Sequence, residues 1–158
     1  MVNAREDQPQ TGRFVGREHR FPLRVWYEDT DVSGVVYHAN YLRFMERARS
    51  DMLLLAGVDQ RAAHEAGEGA WAVAELHIRY RAPARLGDAL LVSSRVTRVR
   101  AAAVAIQQTV SRGGESLAEA EVVAALVAPS GRPRRQPAAW LDRFRALADA
   151  GQGEAVHT

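Results

Sequence analysis

Tyr27-Glu28-Asp29-Thr30-Asp31-Val32-Ser33-Gly34-Val35-Val36-Tyr37-His38-Ala39-Asn40-Tyr41 joins two segments of different period. Before it, Phe21, Leu23, Val25 and Tyr27 alternate with Pro22, Arg24, Trp26 and Glu28, which predicts a strand over about Phe21 to Glu28. After it, Tyr41, Met45, Ala48, Met52 and Leu55 recur every three or four residues, which predicts an amphipathic helix from about Asn40 to Ala56. Its polar face carries Arg43, Glu46, Arg47, Ser50 and Asp51, and Arg47 and Asp51 stand at the spacing of a helical ion pair. An acidic loop therefore opens onto a helix N-terminus. Free backbone N–H groups and the positive end of the helix dipole can hold an oxyanion there.

Outward from that loop the pattern is simpler. Residues 1–20 are polar, carry both charge signs and read as a flexible tail. Val58 to Ala66 reads as a short second helix or an irregular link. Trp71 to Arg81, Ala89 to Val99 and Ala103 to Ser111 read as strands. In the first of these, Val73, Glu75, His77 and Arg79 face one way and Ala74, Leu76, Ile78 and Tyr80 the other, with His77 expected to be packed or paired. Gly113-Gly114 is a hairpin signal, so Glu115 to Val127 is assigned as the last strand despite its glutamates and alanines. Ala138 to Ala150 reads as a terminal helix with Trp140, Phe144 and Leu147 on one face. One strand, one long helix and four antiparallel strands make an α+β layout with the sheet wrapped around the helix.

The chain has 158 residues, a length for one domain with a real core. It contains no cysteine, so disulfides, zinc–thiolate sites and thiol nucleophiles are excluded. All 21 basic residues are arginine, which removes Schiff-base and lysine general-base mechanisms. The net charge is only +2, and the arginines are dispersed, which argues against a nucleic-acid partner. No apolar run approaches the roughly 18 residues needed to cross a bilayer, and no signal-peptide core follows the polar start. A cytoplasmic protein without membrane insertion is expected.

The acidic loop has three readings on its residues alone. Asp and Ser can cap the helix while Gly34 makes the turn. Asp29, Asp31, Ser33 and Gly34 also match the opening of a calcium loop, but the twelfth position is Asn40, not glutamate, and a strand precedes it. The third reading is catalytic: a carboxylate facing a carbonyl that backbone N–H groups polarise.

The run from Val25 through Tyr41, continuing into Phe44-Met45-Glu46-Arg47-Ala48-Arg49, resembles the hotdog-fold thioesterases of the 4-hydroxybenzoyl-CoA thioesterase type. Within them it is most similar to the branch associated with the Tol–Pal cell-envelope system. Ile78-Arg79-Tyr80-Arg81-Ala82-Pro83-Ala84-Arg85-Leu86-Gly87-Asp88 resembles that family's strand-turn-strand, and the likeness spans about Phe21 to Pro137. The resemblance implies a long central helix wrapped by a five-stranded antiparallel sheet. It implies a hotdog domain over residues 21–137, with residues 138–158 as a terminal helix and tail. The implied activity is hydrolysis of an acyl-CoA to free acid and CoA, without metal or organic cofactor. Asp31 would act as nucleophile or general base, and the His38 backbone N–H would polarise the thioester carbonyl. The His38 ring could orient Asp31 or water, or assist the leaving thiolate. Tyr27, Asp29 and Asn40 belong to the motif, and Tyr27 and Asn40 are candidate substrate contacts. Arg98 and Arg100, at a strand turn, match the place of the family's basic residues for CoA phosphates, although Ala101-Ala102-Ala103 replaces the small polar residues usual after them. Acyl preference would depend on pocket depth at Met45, Trp71 and Val73.

The same resemblance implies a homo-oligomer, a dimer paired edge to edge with the site between protomers and further arranged as a tetramer. Acyl carrier protein or a Tol–Pal-linked association would be the macromolecular partners. Two rival readings remain at this point. One is a non-catalytic module that binds acyl-thioesters beside an envelope or lipid-synthesis assembly. The other is a hotdog dehydratase, which needs an inward glutamate on the helix where Glu46 lies on the polar face.

Overall fold

A computed structural model describes residues 6–148. In chain order the elements are β1 (Arg13–Val15), β2 (Glu18–Arg24), a 3₁₀ turn (Tyr27–Asp29), α1 (Asn40–Leu55), α2 (Gln60–Glu65), β3 (Ala70–Tyr80), β4 (Ala89–Val99), β5 (Ala103–Arg112), β6 (Glu115–Val127) and α3 (Ala138–Leu147). The strands form one antiparallel sheet in the order β1-β2-β4-β5-β6-β3. Tyr41, Phe44, Met45, Ala48 and Met52 bury one face of α1 against it, and Leu53 extends that face. Leu55, expected to join them, is 41% exposed, because the helix ends there.

The sheet has six strands where five were expected. The additional strand, β1, pairs Arg13 with Arg20 and Val15 with Glu18. Residues 13–20, expected to belong to a tail, therefore lie in or between strands, while residues 1–5 fall outside the described structure. Three residues flanked by charges carry no usable period, so tertiary contacts fix this strand. His19 is fully buried and its Nε2 lies 2.6 Å from Asp51 Oδ2 on α1. The same carboxylate oxygen accepts the Gly12 N–H at 2.8 Å. Asp51 thus does not pair with Arg47 as its helical spacing suggested. A half-buried carboxylate gains more from two directed donors than from an exposed arginine.

Strand β2 ends at Arg24, four residues short of its expected limit. Trp26 donates its N–H to Asp29 Oδ2 at 2.8 Å, and this bond curls Tyr27–Asp29 into the 3₁₀ turn. Tyr27, read as continuing the strand alternation, is 82% exposed.

The hairpin between β5 and β6 is the two-residue turn that Gly113-Gly114 predicted. Both glycines have positive φ, 53° and 84°, as a type I′ turn requires. Strand β3 departs from simple alternation. Val73 pairs with Ala124 but Glu75 pairs with Val123, so Ala74 is an extra residue. The bulge moves Trp71 and Val73 onto the concave face with Leu76, Ile78 and Tyr80. His77, expected to be packed or paired, is instead exposed on the outer face opposite Glu121.

Helix α3 packs on the open end of the core. Trp71 stacks on Trp140 at 6.0 Å and meets Phe144 edge-on at 5.8 Å. The helix was expected to reach Ala150; it is described to Leu147, and residues 149–158 lie outside the described structure.

Candidate active site

The acidic loop is held by Asp29. Its Oδ2 takes the Trp26 N–H, its Oδ1 takes Asn40 Nδ2 at 2.7 Å, and its carbonyl takes the Tyr37 N–H at 3.0 Å. One residue therefore ties the strand exit, the loop return and the first residue of α1 together. Asn40 is 6% exposed and its amide is spent on this bond, so the structure gives it the task of shaping the loop.

Asp31 stands exposed at the tip. Its Oδ1 accepts both the Ser33 N–H, at 2.8 Å, and the Ser33 hydroxyl. These bonds favour the ionised form and hold the carboxyl below its ordinary pKa of 3.8, with the charge of His38 acting in the same direction. Among the described residues Oδ2 accepts no hydrogen bond, so one oxygen of an ionised carboxylate remains open. Gly34, at φ +80°, makes the turn that returns the chain to Val35, whose carbonyl receives the Asp31 N–H at 3.0 Å.

The expected helix cap is not made. No side chain caps α1, because Asp31 and Ser33 bond each other. Among the described residues, the N–H groups of His38 and Ala39 find no acceptor. Asp31, Ala39 and Asn40 share one surface hollow with Glu28, Thr30, Tyr37 and Arg43. An ionised carboxylate and unpaired N–H donors thus meet at a helix start, an arrangement suited to addition at a carbonyl carbon.

The His38 ring is exposed and packs against Tyr37 at 4.5 Å between centroids, and no hydrogen bond joins it to Asp31. Its carbonyl accepts the Tyr80 hydroxyl at 2.7 Å. Tyr27 turns its ring to solvent and does not line the hollow.

Arg98 and Arg100 are not brought to this hollow. The loop returns against Ala84 and Arg85, beside the start of β4. Arg98 lies nine residues further along β4, roughly 30 Å at about 3.3 Å per residue. Both arginines are exposed at the opposite end of the sheet.

A second, more apolar pocket lies beside the C-terminal half of α1. Trp71, Val73, Val104, Ile106, Leu53 and Phe144 line it, with Glu46, Arg49 and Ser50 on the helix side. Trp71 and Val73 line this pocket rather than the Asp31 hollow, whereas Met45 is sealed in the core. Sequence reading missed Tyr80 and Arg43 at the end of the molecule that holds the acidic loop. Arg43 could have been found from its place one turn after Asn40, while the bond from Tyr80 to the loop leaves no trace in sequence.

The thioesterase-like superfamily model matches residues 25–146. The acyl-CoA thioester hydrolase YbgC of Escherichia coli O6:H1 is 39% identical over 128 residues, 80% of this chain and 95% of that protein. The acyl-CoA thioesterase YbgC of Haemophilus influenzae is 42% identical over 107 residues, 68% of this chain and 79% of that protein. Among solved structures, a probable thioesterase from Bartonella henselae superposes with a TM-score of 0.73 at 36% identity, covering 76% of this chain and 99% of the other.

Proposed function

This chain belongs to the thioesterase-like superfamily, and from that premise we propose that Asp31 carries out the hydrolysis of an acyl-CoA to free acid and CoA. The chain has the hotdog arrangement of that family and is an acyl-CoA thioester hydrolase. The observation that carries the role of Asp31 is its open Oδ2 in the same hollow as Ala39, whose N–H is unpaired.

In this reading the thioester carbonyl oxygen lies against the N–H groups at the start of α1. Addition to the carbonyl carbon places negative charge on that oxygen, where the donors are already fixed. Asp31 supplies the electron pair by direct attack or by taking a proton from water. The Ser33 hydrogen bonds keep it ionised, which either route requires. After direct attack, departure of the CoA thiolate would leave a mixed anhydride for water to open. A single turnover in ¹⁸O-water tests for direct attack: label in the Asp31 carboxylate arises only when water opens the anhydride at the Asp31 carbonyl, and general-base catalysis puts none there.

The test is CoA release, followed with a thiol reagent, across short, long and aromatic acyl-CoAs for wild type and Asp31→Asn. The absence of cysteine keeps the background low. Turnover that collapses in the variant supports the reading. A wild type that binds acyl-CoA tightly without turnover supports a binding module instead.

The finer features rest on further observations. Strand β3 ends the sheet with one side unpaired, and Val73 and Tyr80 on it are 50% and 46% exposed, which suits pairing with a second copy. In such a dimer, Arg98 and Arg100 would serve the CoA phosphates of the partner's site, since they stand remote from their own. A tetramer, a cytoplasmic location, acyl carrier protein as alternative carrier and a Tol–Pal connection follow from the family likeness. Light scattering, a carrier-protein substrate panel and gene neighbourhood test them.

A further inference from the structure

Residues outside the acidic loop also shape the hollow. Tyr80, the last residue of β3, donates its hydroxyl to the His38 carbonyl at 2.7 Å. Its ring is held edge-on by Tyr41 at 5.5 Å and stands perpendicular to the His38 ring at 6.3 Å. Tyr41 is itself fixed, 3% exposed and bonded through its hydroxyl to the Ala84 N–H at 2.9 Å. Tyr80 is thus anchored to both the sheet and α1 before it reaches the loop.

The backbone of the first helical turn leaves the His38 carbonyl to Tyr80. Asn40 donates to Tyr37 and Leu42 donates to Ala39, so these bonds pass on either side of it. Among the described residues the Tyr80 hydroxyl is its sole donor. The His38 carbonyl and the Ala39 N–H belong to one peptide unit. That unit is trans, since no cis bond occurs among the described residues, so the two groups point in opposite directions. Pinning the carbonyl toward β3 therefore aims the Ala39 N–H away from β3. A hydrogen bond to the carbonyl also polarises the amide and strengthens its N–H as a donor.

We propose that Tyr80 is a positioning residue, which fixes the His38–Ala39 peptide so that the Ala39 N–H serves as an oxyanion donor beside Asp31. The proposal rests on the thioesterase reading above and adds to it a second donor and the side chain that aims it. Tyr80 acts only through the peptide, and the hydroxyl must stay protonated to donate. Burial and the neighbouring Tyr41 raise its pKa, so the bond persists through the neutral range.

Tyr80→Phe tests this, because it keeps the ring contacts and removes only the donor. With the acyl-CoA that wild type turns over fastest, kcat falls about tenfold, a fraction of the 10²–10³ lost with a whole oxyanion donor. KM stays within twofold, the acid limb of the pH profile does not move, and the melting temperature holds. In ¹⁵N-labelled protein the Ala39 amide resonance shifts. An unchanged kcat, or a raised KM at constant kcat, overturns the proposal, the latter by making Tyr80 a substrate contact. If wild type turns over no acyl-CoA, the thioesterase reading itself fails. The amide resonance then decides alone, and an unmoved Ala39 signal sinks the proposal.

Discussion

Asn40 Nδ2 donates to Asp29 Oδ1 at 2.7 Å, joining the first residue of α1 to the turn that ends β2. The bond spans the whole acidic loop, so the position of Asp31 depends on this pair. Asn40→Ala leaves the half-buried Asp29 carboxylate short of one donor. The expected cost is about 1–3 kcal/mol of stability. Turnover should fall more than in proportion, because the loop loses its register. Calorimetry and steady-state kinetics on the one variant check both halves; a full-strength enzyme with lowered stability would detach Asn40 from the loop's function.

The pH dependence has a defined sign. If Asp31 carries the reaction as proposed, turnover needs its ionised form, and the Ser33 hydrogen bonds hold that carboxyl below its ordinary range, so activity persists as pH falls and is lost only on passing that depressed value. Ser33→Ala removes the leading cause of the depression. Its acid limb should move to higher pH, with kcat near pH 7 little altered. A limb that stays in place would assign it to another group.

The buried His19–Asp51 pair stabilises the fold without serving the site. Asp51 is eleven residues along α1 from Asn40, about 16 Å at 1.5 Å per residue. Asp51→Ala strips the His19 ring and the Gly12 N–H of their common acceptor. We expect about 1–3 kcal/mol of destabilisation, or roughly 3–10 °C in melting temperature, with turnover at 25 °C intact. A matching fall in turnover would place β1 and β2 in the catalytic machinery.

The separation of Asp31 from Arg98 and Arg100 can be read by complementation. If the arginines serve a partner's site, mixing Asp31→Asn protein with Arg98→Ala/Arg100→Ala protein creates hybrid dimers with one intact site. Activity with wild-type KM should appear on mixing, above the sum of the separate proteins. No gain on mixing, with subunit exchange verified, would remove the arginines from the site.

Local chemistry explains what could be read in advance. The Gly113-Gly114 turn overrode the helical propensity of Glu115, Glu119 and Glu121, because a tight turn dictates the pairing of its flanks. The α1 face was legible from its period. Four features escaped for identifiable reasons. Strand β1 is too short and charged to carry a pattern. The Ala74 bulge shifts the face of every residue before it, yet nothing in the Trp71 to Tyr80 alternation marks where the extra residue falls. Tyr27 continued a strand alternation until the Asp29 carboxylate diverted the backbone, a contest between one side chain and a sheet ladder that period alone does not resolve. The reach of Tyr80 to His38 is a long-range contact of 42 residues, invisible to any local reading.

One of the two edge strands of the sheet, β3, ends in Tyr80, the side chain that grips the acidic loop. Whatever lies along β3 can therefore stiffen or slacken Tyr80, and through it the electrophilic pull of the hollow. If a second copy pairs along β3 and Tyr80 positions the Ala39 N–H as proposed, catalytic strength becomes a readout of neighbourliness: diluted chains would turn over more slowly per molecule than crowded ones.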